Sequence, residues 1–498
     1  MSVRFFVFCI FCLFAFSCNI KTEEDKLPAG DQLVTRYCGS CHLAPEPALL
    51  DKETWKNQVL PAMARQLGLE VWQKTNYFQN EKSAISLADW TQIVAYYDSL
   101  APQHLPAAKT PVSPNQDWSI FSLETPEINS SQMATTTLVV MDSSSKFIYT
   151  SDSETGGLYQ WNRQLKQSRS MHLPSPAVQM NFGKNGSSIL TCIGSMKAID
   201  IPSGNVISEY NLDQNTLKSI ASGLIRPIHT TSADINKDGL EDYIVSSFGH
   251  NKGGLFWLKQ EVDKTFKTIA IREIPGATQS IAGDFNNDGW TDIMALFAHG
   301  DEGIWLFTND KKGGFETKNV LRFPPVYGSN SFQLADMNVD GKPDIIYTSG
   351  DNSDYSRILK PYHGVYIFTN TGDFNFKQSY FYPINGCTKA IAKDFDMDGD
   401  IDIATIAFFA DFSNNPSESF IYFENSTGKN GSTLSFAPHA LPIHENGRWI
   451  CMDANDFDGD GDPDIVLGNY SKGFLNQSNF KLNWNTNLPF VILENKTK

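Results

Sequence analysis

Cys38, Cys41 and His42 stand in the run YCGSCH, two thiols three apart with an imidazole directly after the second. This spacing serves a redox dithiol, part of a zinc site, or covalent attachment of haem. Zinc wants four ligands, yet beyond the leader no other Cys precedes Cys192 and the only nearby His is His104. A thioredoxin-like dithiol wants a preceding βαβ pattern, which is missing. In a haem site Cys38 and Cys41 form thioethers and His42 ligates the iron. Met63, within LPAM, is the sole Met between the leader and Met133 and is the candidate second ligand. A thioether opposite His raises the reduction potential and closes the iron to substrates.

A second chemistry repeats. The nonapeptides DINKDGLED, DFNNDGWTD, DMNVDGKPD, DFDMDGDID and DFDGDGDPD begin at residues 234, 284, 336, 394 and 456, separated by 50, 52, 58 and 62 residues. Oxygen-bearing side chains at positions 1, 3 and 5 converge when such a loop coils, and Gly at position 6 permits the turn. A main-chain carbonyl at position 7 and Asp at position 9 complete an oxygen shell suited to Ca²⁺. The expected ligands are Asp234, Asn236, Asp238, Leu240 and Asp242 in the first loop, and Asp284, Asn286, Asp288, Trp290 and Asp292 in the second. Asp336, Asn338, Asp340, Lys342 and Asp344 serve the third, and Asp394, Asp396, Asp398, Asp400 and Asp402 the fourth. Asp456, Asp458, Asp460, Asp462 and Asp464 serve the fifth, so up to five Ca²⁺ ions are expected. The bidentate Glu that an EF-hand needs at position 12 is replaced by Val245, Ala295, Tyr347, Thr405 and Leu467. These loops hold 20 Asp and Glu, more than the whole net charge of −16. With no basic cluster, a nucleic-acid partner is excluded.

Elements must position both sets. Residues 1–18 carry Arg4 and an apolar run from Phe5 to Phe16, too short for a membrane span and suited to a secretory signal. Cys18 follows in the place of a lipidated cysteine, and residues 19–26 form an acidic tether. Residues 27–105 are read as a small all-α domain. Leu33 and Tyr37 share a helical face leading into the cysteines, and Ser86 with Asp89 opens an amphipathic helix that Pro102 closes. Residues 106–116 are a Pro-rich linker. Over 117–498 each acidic loop lies between short apolar strands such as QSIAG and IMALF, with two further strands after it. Four antiparallel strands per repeat describe propeller blades. Two copies with degenerate loops precede the acidic five, giving seven blades. The terminal PFVILENK reads as a third strand, so WSIFSLETP at 118–126 is expected to pair with Phe490–Asn495 and close the ring. Cys192, Cys387 and Cys451 read as buried thiols.

The nonapeptides and their strands resemble the FG-GAP or VCBS repeats of integrin-α-type propellers, over some 380 residues. The segment around Cys38 resembles a class I cytochrome c. The whole chain looks like a bacterial VCBS-repeat lipoprotein with an amino-terminal cytochrome c domain. This implies a mainly β fold, a seven-bladed propeller behind a small all-α haem domain, with one covalent haem c. It also implies lipid anchoring through Cys18 at the outer membrane, exposed to the cell surface. In such a ring all five acidic loops join first to second strands and share one face. The opposite face is expected to be free for a partner, with Arg226, His229, Asn330, Lys389, Arg448 and Trp449 at its funnel. His250, His299 and His363 lie in successive second-to-third-strand loops and read as surface residues or a further metal set. The expected function is electron transfer by a surface-anchored monohaem protein whose propeller binds a redox protein or a glycan. The alternatives are a sugar- or quinone-linked dehydrogenase reducing its own haem, and a non-redox adhesin.

Overall fold

The computed structural model describes residues 29–127, 131–182, 188–353, 356–427, 433–473 and 480–498. The apolar leader, Cys18 and the acidic tether lie outside the described residues. Among the described residues, 28 strands form seven four-stranded antiparallel sheets arranged as a β-propeller. Blades 1 to 6 occupy residues 136–172, 177–225, 227–272, 277–322, 329–383 and 387–440. Blade 7 takes three strands from 449–495 and its outermost from Phe121–Glu124. Phe121 pairs with Asn495 and Leu123 with Leu493, so the amino-terminal strand closes the ring as the sequence leads one to expect.

The second strand of each of blades 3 to 7, for instance Asp242–Ser247 and Asp402–Ala407, is buried at all six positions. A strand between two neighbouring sheets has both faces covered, which explains the continuous apolar runs there.

The innermost strands diverge too far for a common backbone ladder, and side chains bridge every junction instead. Thr137 Oγ1 donates to Ala177 O at 2.7 Å. Asn181 Nδ2 donates to Thr230 O at 2.8 Å, and Thr231 Oγ1 to Ser280 O at 2.8 Å. Phe332 N donates to Gln279 Oε1 and Ala392 N to Gln333 Oε1, at 3.3 and 2.7 Å. Lys389 Nζ donates to Met452 O at 2.9 Å, and Met141 N to Asp453 Oδ2 at 2.8 Å, which completes the circle. Each bond gives a main-chain group at the unpaired edge of an inner strand a side-chain partner.

Residues 29–105 fold as α1 (Ala29–Tyr37), α2 (Leu60–Gln66) and α3 (Leu87–Leu100), with a π turn over Trp55–Val59 leading into α2. They also include a hairpin, Glu70–Trp72 with Asn76–Phe78, so the expected all-α character is corrected to helices plus one small sheet. Gly30 lets α1 meet α3, since a Cβ there would lie 2.5 Å from that of Tyr96. Ser86 Oγ accepts Asp89 N at 3.0 Å as the cap of α3. The Asp89 carboxylate turns to Tyr37, whose hydroxyl donates to it at 2.9 Å and ties α3 to α1.

This module is seated on the propeller. Its core of Val34, Trp55, Trp90, Ile93 and Tyr97 is continuous with Val326, Tyr327, Ile358 and Tyr362 of blade 5 and the connection leading into it. Tyr362 OH donates to Leu49 O at 2.9 Å. The linker is pinned as well. Asn115 exchanges main-chain bonds with Pro438 and Ala440, and Tyr382 OH donates to Val112 O at 2.8 Å. The face expected to be free is therefore partly covered by the chain's own amino-terminal module.

Candidate functional site

The five acidic loops share one backbone course. Position 4 is left-handed in each, with φ of 58° at Lys237, 59° at Asn287 and Val339, 62° at Met397 and 88° at Gly459. Position 6 is left-handed again, between 81° and 100° at Gly239, Gly289, Gly341, Gly399 and Gly461. Two such turns within three residues coil the loop tightly, and glycine makes the second cheap. In the first four loops the position-6 N–H donates to the first carboxylate, for example Gly289 N to Asp284 Oδ2 at 2.7 Å. In every loop the position-7 N–H donates to the fifth, as from Leu240 to Asp238 at 2.9 Å.

Position 9 has a structural duty that spacing alone does not reveal. One oxygen of Asp242, Asp292, Asp344, Asp402 and Asp464 accepts the position-2 N–H of its own loop, at 2.9–3.3 Å. The other accepts a main-chain N–H at the end of the third strand, at 2.8–2.9 Å. These buried carboxylates clamp loop to blade, whether or not they also face an ion.

The loops differ in charge. Asp394, Asp396 and Asp398 bring oxygens within 4.8 Å of one another, as do Asp456, Asp458 and Asp464. In the first two loops the amide replaces one repulsion with a bond, Asn236 Nδ2 donating to Asp238 and Asn286 Nδ2 to Asp288, at 2.7 and 3.0 Å. Buried oxygens of Asp234, Asp394, Asp400 and Asp462 make no hydrogen bond. Burial, then the charges of Asp398, Asp402 and Asp396, push Asp400 up to about 7. Burial is also the largest cause lifting Asp402 and Asp464 to about 6. Carboxylates so crowded suit a divalent cation, whose charge reverses the penalty.

The cysteine motif begins where α1 ends. Cys38 N and Gly39 N both donate to Val34 O, at 2.8 and 3.1 Å. A side chain at Gly39 would strike Thr35 O, 2.3 Å from its Cβ. Cys38 is half-buried, Cys41 is exposed, and neither forms a disulfide. Burial pushes the Cys38 thiol up to about 11. His42 Nδ1 lies 3.0 Å from Leu43 O. Burial lowers its pKa, the Leu43 carbonyl and Asp301 oppose that shift, and Arg322 adds to it. Met63, on α2, is partly buried against the same core as Cys38.

The expected funnel set does not form a free binding surface. Arg448 and Trp449 are buried at 1% and 0% exposure. Arg448 donates to Phe408 O at 3.0 Å and Gly473 O at 2.7 Å, its guanidinium 3.7 Å from the Phe408 ring centre, and burial lowers it to about 9. Arg226 donates to Gly249 O at 2.7 Å, Asn330 to Gly328 O at 2.9 Å, and Lys389 to Met452 O. His229 is held to about 4 by burial and then by the Lys389 charge, placing the two in one electrostatic environment. His250 and His299 lie with ring centres 5.9 Å apart, while His363 is fully buried. Cys192 and Cys387 are buried thiols and Cys451 a half-buried one.

Other charged groups were not anticipated. Asp301 takes Arg322 Nε at 2.8 Å and Arg272 Nη2 at 3.2 Å. Buried Glu302 accepts both the N–H and the hydroxyl of Ser329, at 2.8 and 2.5 Å, and burial lifts it to about 8. Only the acid-rich sequence DEG at 301–303 hinted at them.

Residues 234–295 and 284–347 match the model of the FG-GAP-like repeat, covering the first three acidic loops. A T-cell immunomodulatory protein homolog of Plasmodium falciparum (isolate 3D7) is 28% identical over 208 residues, 35% of this chain and 29% of that protein. The chain thus spans less than a third of the length of this curated relative. Among solved structures, the β-propeller domain of Myceliophteria thermophila Cps50 (Swd1) covers 75% of this chain and is itself 99% covered. Its TM-score is 0.44 at 8% identity. The N-terminal domain of Nup159 gives 0.43 at 11%, covering 78% of this chain with 98% of its own length.

Proposed function

We propose that this FG-GAP-like propeller is a calcium-stiffened binding platform carrying one covalent haem c, and that it works in electron transfer. The observation that carries the haem reading is the pair of unbridged thiols, Cys38 and Cys41, displayed with His42 at the end of α1. The donor set fits the group. The thiols supply two thioethers, His42 Nε2 is left for iron by the contact of Nδ1 with Leu43 O, and Met63 offers a thioether. When bound, haem supplies a one-electron iron couple. Cys38, Cys41 and His42 would hold it, beside the core around Trp55 and Trp90, in a module that Tyr362 ties to the propeller. The calcium reading is supported by the unpaired carboxylate oxygens inside the coiled loops.

The leader and Cys18 support export and lipid anchoring, with the propeller at the outer surface of a bacterial envelope. Propellers present loop faces to other proteins, and binding of a redox protein or a glycan is the corresponding role here. Expression in a host that matures c-type cytochromes tests the central claim. The protein is expected to gain the mass of one haem, and Cys38→Ala/Cys41→Ala to gain none. A wild-type chain emerging without the adduct would overturn the reading.

A further inference from the structure

Beside the connection that seats the helical module, the propeller carries an unusual group of charges. Asp301, 8% exposed, lies in the connection between the second and third strands of blade 4. It pairs with Arg322 at the end of the outermost strand of the same blade and with Arg272 at the end of the outermost strand of blade 3. Two guanidiniums share one carboxylate, so the group keeps a net positive charge. The Arg272 side chain is only 11% exposed, its guanidinium 3.6 Å from the Trp305 ring centre and 4.5 Å from that of Phe297. Arg272 Nη1 and Trp305 Nε1, both buried, make no hydrogen bond.

Two dry donors in one stack, beside uncompensated positive charge, lack an acceptor, and an anionic, planar one would satisfy both. A carboxylate is such a group, and guanidinium is its natural partner. The site also faces the right way. Val326 and Tyr327, which follow Arg322 within five residues, belong to the core of the helical module.

We propose that Arg272 and Arg322, positioned by Asp301, bind the propionate carboxylates of the haem attached at Cys38 and Cys41. The prosthetic group is then shared between the two modules, and the propeller sets its potential. This rests on the haem reading above.

The test uses the full-length haem-loaded protein and the midpoint potential measured by spectroelectrochemistry. Arg322→Gln and Arg272→Gln remove positive charge, stabilise the ferric form and shift the potential downward. Asp301→Asn shifts it upward, and Arg322→Lys restores most of the wild-type value. A purely structural role would not give opposite signs for the acid and the bases. Normal haem attachment with potentials that do not move, or that all move in one direction, overturns this proposal alone. Wild-type protein without haem overturns it together with the reading beneath it. In Cys38→Ala/Cys41→Ala protein, acetate or phosphate raising the melting temperature only when Arg272 is intact would reassign the site to a soluble anion and overturn the propionate assignment.

Discussion

The two faces of the ring solve opposite problems. On one, five copies of a single acidic loop repeat the same two left-handed turns and the same position-9 clamp. On the other, the connections differ widely in length, and one group of them carries the helical module together with Asp301, Glu302 and Tyr362. The repeated face concentrates like charge that calls for an ion from outside. The singular face offsets most of its charge from within, by arginine–carboxylate pairs and by main-chain carbonyls. Under the proposed calcium reading, repetition marks what an ion would ask of five blades alike, whereas irregularity marks what one particular neighbour demands once.

The largest effect that separates the faces is calcium removal. Each site held at about 100 times its dissociation constant adds about 2.7 kcal/mol to the folded state. Chelation is therefore expected to lower the melting temperature of the propeller by many degrees while leaving the haem absorption spectrum unchanged. Asp396→Asn/Asp398→Asn should weaken the response to calcium. Asp402→Asn should destabilise even in chelator, because its two oxygens hold Phe395 N and Asn425 N. A melting temperature indifferent to chelator would remove the ion from the argument and leave the clamps alone.

Next in size is Trp449, which sequence reasoning placed at a binding funnel and which is fully buried. Its replacement by Ala should cost about 3–5 kcal/mol, as for other large-to-small core changes, measured by urea unfolding. A change within experimental error would restore it to the surface.

These cases show why one face was legible and the other was not. The coiled loop demands fixed residue types at fixed spacing, so Asp, Gly and the closing strand Phe121–Glu124 could be read from residue order. The funnel reading failed because inner strands need bridging donors. Lys389 looks like a ligand-binding lysine, yet its ammonium serves Met452 O at the junction of blades 6 and 7. Arg448 likewise serves carbonyls within the fold. The helix carrying the cysteines was legible from Leu33 and Tyr37. The hairpin at 70–78 and the seat on blade 5 were not, because Val326, Ile358 and Tyr362 carry no local signal of their distant partners.

Glu302 gives a smaller, pH-dependent effect confined to the singular face. Its carboxyl is raised from an ordinary value of 4.5 to about 8, mainly by burial, so the folded chain keeps a proton that the unfolded chain releases. The stability it contributes is complete below pH 4.5 and is lost as pH rises through 8, at up to roughly 1.4 kcal/mol per pH unit. Glu302→Gln should flatten this part of the stability profile between pH 6 and 8. An identical slope in the variant would assign the loss to other buried acids, such as Glu418, which burial raises to about 7.

The smallest expected effect tests the seat itself. Tyr362 stacks on Tyr327 with ring centres 4.8 Å apart and donates its hydroxyl to Leu49 O at 2.9 Å. Tyr362→Phe keeps the ring and the stacking but leaves a carbonyl of the helical module without its donor. One such bond is worth about 0.5–1.5 kcal/mol net, so opening of the module from the propeller should become several-fold more frequent. Hydrogen exchange reads this directly. Amides of residues 47–66 should exchange faster in the variant, while those of the second strands in blades 3 to 7 stay unchanged. Equal acceleration in both regions would mean that module and propeller open as one cooperative unit, and the contrast between the faces would then be one of sequence and not of stability.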